Sequence, residues 1–377
     1  MGRRIPAVAG AFAVLAALAV PAPAAGAAVR HDRVVSDAPA PSTPAVLDGE
    51  VRAVARVGNR VVVGGTFDRV REAGTGAVLD RAGLFAFDPA SGSVMRGFAP
   101  RLGGRVDALA GAPGGGAVFA GGRFPSRLAK LDMDSGRAEA GFRAEVDGSS
   151  VEDLAVAGGR LYVGGGFAAV NHVPRSSLAV LDPVTGTVDP GVDVPFTAAR
   201  QGRLRIEKLD VTPDGATLVA GGTFTRVAGE ERNQLAVVDV GSTPARLSGW
   251  RTDAYRPACS PAFDTYVRDV AVDPGGDWFV VVTTGARGHT GLCDTAARFE
   301  LAARQRPVSP TWVDYSGGDS FTAVAVTGPA VYVAGHMRWM NNPWGRGTGR
   351  DAAPGPGAVT RSGIAALDPQ SGVPLSW

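Results

Sequence analysis

Six units of four short apolar segments, with first segments 45 to 61 residues apart, predict an all-β protein: a six-bladed β-propeller of four-stranded antiparallel blades. Three observations carry this. A double glycine closes one segment in four of the six units, an Asp turn closes the next in all but the fifth, whose AARFELAAR (296–304) diverges, and no helical periodicity of useful length competes. A linear solenoid uses shorter repeats, and a double sandwich does not repeat internally.

The first segments are VRAVARV (51–57), VDALAGA (106–112), VEDLAVA (151–157), IEKLDVT (206–212), VRDVAVD (267–273) and FTAVAVT (321–327). The double glycine ends the second segments VVVGGTF (61–67), VFAGGRF (118–124), LYVGGGF (161–167) and LVAGGTF (218–224). VVVTTGA (280–286) and VYVAGHM (331–337) are degenerate copies, in which Thr283-Thr284 and Gly335-His336 take the place of the pair. Glycine there lets the second strand approach its neighbours where a Cβ would collide, and the following Phe returns to the core between blades. Asp-Gly at 214–215 and Gly-Gly at 158–159 and 275–276 suit two-residue hairpin loops. Third segments end in turns such as LFAFDPASG (84–92) and LAVLDPVTG (178–186), where Pro presets φ and Gly takes the left-handed position. Fourth segments open on Phe98, Phe142, Val192, Trp250, Trp312 and Trp377. The chain stops at Trp377. The expectation is therefore that the ring lacks its last outer strand, or that Val34–Leu47 lies beside the last blade and closes it.

The stretch VTPDGATLVAGGTFTRVAGEERNQLAVVD resembles the delta-60 repeat family of bacterial secreted β-propellers, which share a general plan with Kelch and NHL propellers. The likeness covers most of the chain and is strongest over 151–240; blades five and six depart from it. The family is recognised by structural residues, so the resemblance implies a fold and no catalytic residue.

The N-terminus sets the address. Arg3-Arg4 precede an apolar run, and small residues Ala25-Gly26-Ala27 follow, the layout of a secretory signal peptide over residues 1–27. Residues 28–48 then read as a tail or closing strand and 49–377 as the propeller. The expected protein is secreted and monomeric, without membrane attachment after cleavage. Of 38 basic and 36 acidic residues, Arg3 and Arg4 leave with the signal, so the mature chain is neutral. Nucleic acid, which demands clustered Lys and Arg, is excluded as a partner. Only Lys130 and Lys208 are lysines, which with abundant Ala, Gly, Val and Arg reads as a GC-rich bacterial codon bias.

Chemistry is sparse. The four histidines, His31, His172, His289 and His336, have no ligand spacing, and HExxH, P-loop, GxSxG and CxxC are absent. No cofactor is implied. Acidic pieces such as Asp132-Met133-Asp134 cap their own turns and do not follow the spacing of a calcium loop. In register, the second position of the innermost strands holds Arg52, Asp107, Glu152, Glu207, Arg268 and Thr322, and the third adds Asp153, Lys208 and Asp269. These form a ring of mixed charge at the channel mouth, a salt-bridged lining or a polar pocket for a small ligand. Long loops belong to blades five, six and one, consecutive in a six-membered ring. The blade-six loop carries Trp339, Asn341, Asn342, Trp344, Arg346 and Arg350, whose aromatic faces and planar donors suit a sugar ring or peptide backbone. Cys259 and Cys293, the only cysteines, fall in two connections on one face of blade five and are expected to pair.

Three functions remain open at this stage. One is a non-catalytic scaffold that binds glycan or protein at the cell surface. The second is a carbohydrate-active lyase or hydrolase using Asp107, Glu152, Asp153 and Glu207 as acid and base. The third is a structural module of a larger exported protein.

Overall fold

The computed structural model describes residues 31–256, 259–286, 291–347 and 351–377. The signal peptide, His289 and Arg350 lie outside them. The described residues are all β, turn and irregular chain, so no helix among them is long and apolar enough to cross a membrane.

Each repeat folds into one antiparallel sheet in which consecutive strands pair. The innermost strands are Val51–Val57, Arg105–Gly111, Val146–Ala157, Ile206–Val211, Val267–Val272 and Phe321–Val326. The second strands are Arg60–Gly65, Ala117–Arg123, Arg160–Val170, Thr217–Gly222, Trp278–Thr283 and Val331–Gly335. The third are Leu84–Phe87, Leu128–Asp132, Leu178–Leu181, Leu235–Asp239, Thr295–Glu300 and Ile364–Leu367.

The fourth position departs from the four-stranded expectation. Only repeats four and five form true strands there, Arg246–Leu247 and Trp312–Tyr315. The others pair through single bridges, Phe87 to Val94, Leu131 to Ala138, Leu181 to Val188 and Leu367 to Pro374. Apart from Trp312, the aromatic and branched residues expected to open this segment come after it. Phe98, Phe142, Val192 and Trp250 are buried plugs beyond the outer edge. Trp377 likewise follows Pro374, so the last repeat has its outer segment.

The double glycine answers to two neighbours. A Cβ on the first glycine would meet the next repeat's innermost strand: Val106 Cγ1 at 2.7 Å from Gly64, Val151 Cγ1 at 2.5 Å from Gly121, and Val267 Cγ1 at 2.4 Å from Gly221. A Cβ on the second would meet its own innermost strand at a bulge, as with Gly222 and the Arg205 carbonyl at 2.3 Å. Strand register corrects the alignment of the last two repeats. Val282-Thr283 and Ala334-Gly335 stand in the pair's place, and His336 falls one residue beyond it. Phe67, Phe124, Phe167 and Phe224 are buried as expected. Gly158-Gly159 makes a two-residue hairpin loop, whereas the turns at 213–216 and 274–277 span four residues.

Five apolar clusters join successive sheets, from the first against the second to the fifth against the sixth. A sixth cluster (Val63, Phe67, Val70, Phe85, Phe87, Val94) is built on the first repeat alone. Val51 is accordingly 46% exposed and Val54 62%, although the counterparts of Val51 (Val106, Val151, Ile206, Val267 and Phe321) are sealed. The sheets therefore do not close. The N-terminal segment runs between the two ends: the Val35 N–H donates to Tyr332 Oη at 2.8 Å and its carbonyl accepts from Trp377 Nε1 at 2.7 Å. Further on, Ala45–Val46 pairs with Arg69–Arg71 of the first repeat. Val35 thus lies beside the last repeat as expected, but as an irregular strap and not as a closing strand.

Candidate functional site

The charged side chains at the starts of the innermost strands are matched among themselves. Arg52 Nε meets Asp107 Oδ1 at 2.6 Å, and Arg105 Nε reaches the same oxygen at 2.7 Å. Arg123 meets Glu152 at 2.8 Å, and Ser150 Oγ donates to Glu152 at 2.7 Å. Arg205 pairs with Glu207 and, at 2.8 Å, with Asp264. Arg268 lies over the Phe263 ring, 5.3 Å from its centroid. Burial pushes the Glu152 carboxyl up, but the Ser150 hydroxyl and Arg123 outweigh it and hold Glu152 below its ordinary range. Arg268 is shifted down by burial, against the pull of Glu207 and Asp264. Five arginines (52, 105, 123, 205, 268) face five carboxylates (50, 107, 152, 207, 264), so the belt carries no net charge.

A second layer of aspartates stitches the later repeats together. Asp153 accepts the Leu209 N–H at 2.9 Å, Asp210 that of Val272 at 2.8 Å, and Asp269 that of Val324 at 2.9 Å, each on the innermost strand of the following repeat. Lys208 is the cation among them, 3.9 Å from Asp153, whose charge holds the ammonium above its ordinary range. Burial pushes Asp153 up, Asp269 to about 6 and Asp210 to about 7. Perturbed carboxylates often mark catalytic sites, but these three spend their oxygens on backbone N–H groups. Among the described residues no cluster of His, Cys, Asp and Glu is arranged to hold a metal ion.

The blade-six loop is built differently from the sequence reading. Asn342 is fully buried; its Nδ2 donates to the Ser316 carbonyl at 3.1 Å and its Oδ1 accepts the Gly355 N–H at 2.8 Å. Asn341, at φ +50°, donates to the Gly357 carbonyl at 2.9 Å, and its N–H caps Asp314 at 2.8 Å. Asp314 is itself pushed up to about 7 by burial. Both asparagines are thus loop-forming groups and not ligand groups. Trp339 is half-buried in the strand Trp339–Met340, with the Arg338 guanidinium 5.1 Å from its ring centroid. Trp344 is 76% exposed, and Arg346 beside it is exposed, its backbone bridged to Ala353. Of the described members of the expected loop set, Asn341, Trp344 and Arg346 are exposed, and of these only Trp344 and Arg346 have no side-chain hydrogen bond within the loop.

Cys259 and Cys293 form the expected disulfide, with a Cα separation of 5.9 Å. Gly285 packs against it, where a Cβ would lie 2.5 Å from Cys259 Cβ.

One recurring group was missed in the sequence. Three residues before each leading Leu or Ile of a third strand stands an arginine in four repeats: Arg81, Arg175, Arg232 and Arg361. Each donates through Nη1 to the carbonyl of the residue before it. Each donates through Nη2 to a carbonyl of the outer segment, that of Met95, Asp189, Ser248 or Leu375. The spacing R-x-x-[LI] is visible at 81–84, 175–178, 232–235 and 361–364. Pro125 and Leu292 take this place in repeats two and five, and a groove lies at each. The groove of repeat two measures about 740 Å³ and that of repeat five about 400 Å³.

No family profile and no curated protein matches the chain. Among solved structures it is similar to one titled "Structure of U3-55K", at 11% identity over 79% of each chain and a TM-score of 0.50. It is also similar to "Crystal structure of RRP9 WD40 repeats", at 12% identity over 81% of this chain and 80% of that one, with a TM-score of 0.51. Likeness at such identity speaks for the fold alone: the chain is all β with a propeller-like arrangement of sheets.

Proposed function

We propose that the protein is an exported interaction scaffold of the delta-60 type, with six blades, that binds a glycan or protein at the cell surface through the loop presenting Trp344 and Arg346. One observation carries the reading. A large aromatic ring stands in solvent beside loop residues that are tied down among the described residues by Asn341, Asn342 and the Arg346–Ala353 bridge. An exposed Trp on a rigid loop loses little entropy on binding, and its face stacks on a sugar ring or a planar peptide group. The neutral, internally paired channel mouth supports a binding role over acid–base chemistry. The Cys259–Cys293 bridge fits an oxidising compartment.

A glycan array probed with the secreted protein, followed by Trp344→Ala, tests this. The variant is expected to keep its melting temperature and to lose about tenfold in affinity, some 1.4 kcal/mol. A Trp344→Ala, Arg346→Ala double variant that binds like the parent would place recognition elsewhere and sink the proposal.

A further inference from the structure

We infer that the groove of the second repeat docks an arginine-bearing extended peptide of a partner protein, which supplies there the side chain that the chain itself supplies in four other repeats. This goes beyond the glycan- or protein-binding loop and concerns a different site.

The four internal examples define the recognition. In the third repeat the chain arrives as the short extended piece Val173–Pro174, and Arg175 then turns inward, buried. Its guanidinium reaches the Asp189 carbonyl at 3.2 Å and the carbonyl of Pro174 at 2.7 Å. The accepting residue always follows the outer pairing position: Met95 after Val94, Asp189 after Val188, Ser248 after Leu247 and Leu375 after Pro374. A planar cation with directional donors is the group that fits two carbonyls set at an angle.

In the second repeat the strands are joined by Phe124-Pro125-Ser126-Arg127 alone, with no further hairpin and no arginine at the Pro125 position. The equivalent acceptor is the Glu139 carbonyl, next after Ala138, and it lines the groove. It accepts one bond, from the Phe142 N–H at 3.1 Å. Asp189 likewise accepts from Val192 N–H at 3.4 Å in addition to Arg175, so the second lone pair of Glu139 corresponds to the one the arginine uses. Leu128, Ala129 and Phe142 form an apolar floor, and the exposed carboxylates Glu145 and Asp147 stand on the rim. Of the local cations, Lys130 pairs with Glu139 at 2.8 Å, Arg127 donates to the Val146 carbonyl at 3.2 Å and His172 stands 3.6 Å from Glu145, while Arg143 is exposed on the lining. At about 740 Å³ the groove exceeds one side chain and admits a peptide of several residues. Repeat five is a poorer host, because its smaller slot lies beside the Cys259–Cys293 bridge.

The chain provides its own probe. A fluorescein-labelled peptide AAVNHVPRSSL, residues 168–178, is titrated with the full secreted protein and read by anisotropy. It is expected to bind, and the same peptide with Arg175→Gln to bind at least about tenfold more weakly. Ala144→Trp in the protein fills the groove and is expected to abolish binding. If that variant fails to fold, a second one with residues 168–175 in place of Pro125 restores an internal arginine and must also abolish it. Trp344→Ala is expected to leave peptide binding unchanged, which separates failure here from failure of the loop reading. Absence of binding at about 1 mM peptide, equal binding of the Gln peptide, or binding retained by the filled groove would each overturn the inference. So would concentration-dependent self-association of the protein that the peptide competes away, since the occupant would then be a second copy.

Discussion

Replacing Asp210 by Asn should change how stability depends on pH. Asp210 is pushed from 3.8 up to about 7, chiefly by burial. A group whose folded pKa is raised favours the folded state most below its unfolded pKa. Its contribution is present below about pH 3.8 and is lost as pH rises towards 7. Three units at 1.36 kcal/mol each set a ceiling of about 4 kcal/mol. Asp210 is only partly buried, so solvent screens the charge and about 2 kcal/mol is the working figure. Asparagine carries no charge to desolvate, but it offers one accepting oxygen where Asp210 offers two, to Val211 and Val272 N–H at 2.8 Å each. Losing one acceptor costs about 1 kcal/mol at any pH. Asp210→Asn is therefore expected to be about 1 kcal/mol less stable than the parent at pH 4 and about 1 kcal/mol more stable at pH 8. The two curves cross between. Urea unfolding of the disulfide-intact protein at half-unit steps from pH 4 to pH 8.5 measures this, with coincidence of fluorescence and circular dichroism as the two-state check. Parallel curves, with the same loss at pH 4 and pH 8, would show that burial of this charge does not govern its titration.

Other expectations come from the same coordinates. Val51→Asp and Val54→Asp should cost under about 0.5 kcal/mol, whereas Val106→Asp, at the sealed counterpart of Val51, should cost more than about 3; equal losses would mean that the first and sixth sheets meet in solution. Gly222→Ala places a Cβ 2.3 Å from the Arg205 carbonyl and should cost several kcal/mol by urea unfolding, while Gly229→Ala, with open space around it, should cost about 1 from its positive φ alone. Reducing Cys259–Cys293, which closes 34 residues, should lower stability by roughly 3 kcal/mol, read as a melting shift with and without reductant.

The sheet plan was legible because each repeat repeats the same steric problem. The glycines at 64, 121, 164 and 221 all make room for a branched or apolar side chain of the next innermost strand, so the motif recurs where the contact recurs. Register was less legible in repeats five and six. A search for paired small residues selects Thr283-Thr284 and Gly335-His336, while the bulge that defines the position selects Val282-Thr283 and Ala334-Gly335. Closure was not legible at all. Ala334 is small and Val51 is branched, the complement seen at the other junctions. The N-terminal strap nevertheless lies where a following repeat's hairpin turn would lie: His31 approaches Gly328 as Gly115 approaches Gly58, and Val35 meets Tyr332 where Gly215 meets Tyr162. Local pattern states what a junction would accept and not which segment reaches it first.

The candidate site shows the same division in reverse. Asn341 and Asn342 offer planar donors in a long loop, and that chemistry is what a long loop also needs to satisfy its own carbonyls; burial marks the structural use for Asn342, and for Asn341 only its bond to the Gly357 carbonyl does. Trp344 is exposed and Trp339 is half-buried, although only Met340-Asn341-Asn342-Pro343 separates them. The arginines at 81, 175, 232 and 361 carry the opposite lesson. Their spacing was in the sequence, but an arginine three residues before an apolar strand reads as an ordinary exposed charge until its buried guanidinium is seen on the outer segment's carbonyl. Once seen, it makes the exceptions informative. A device built four times and omitted twice leaves two slots of known chemistry, and of these only the slot at Pro125 is open without a disulfide beside it. Repetition fixes the scaffold, and the place where repetition fails is where this chain has room for something that is not itself.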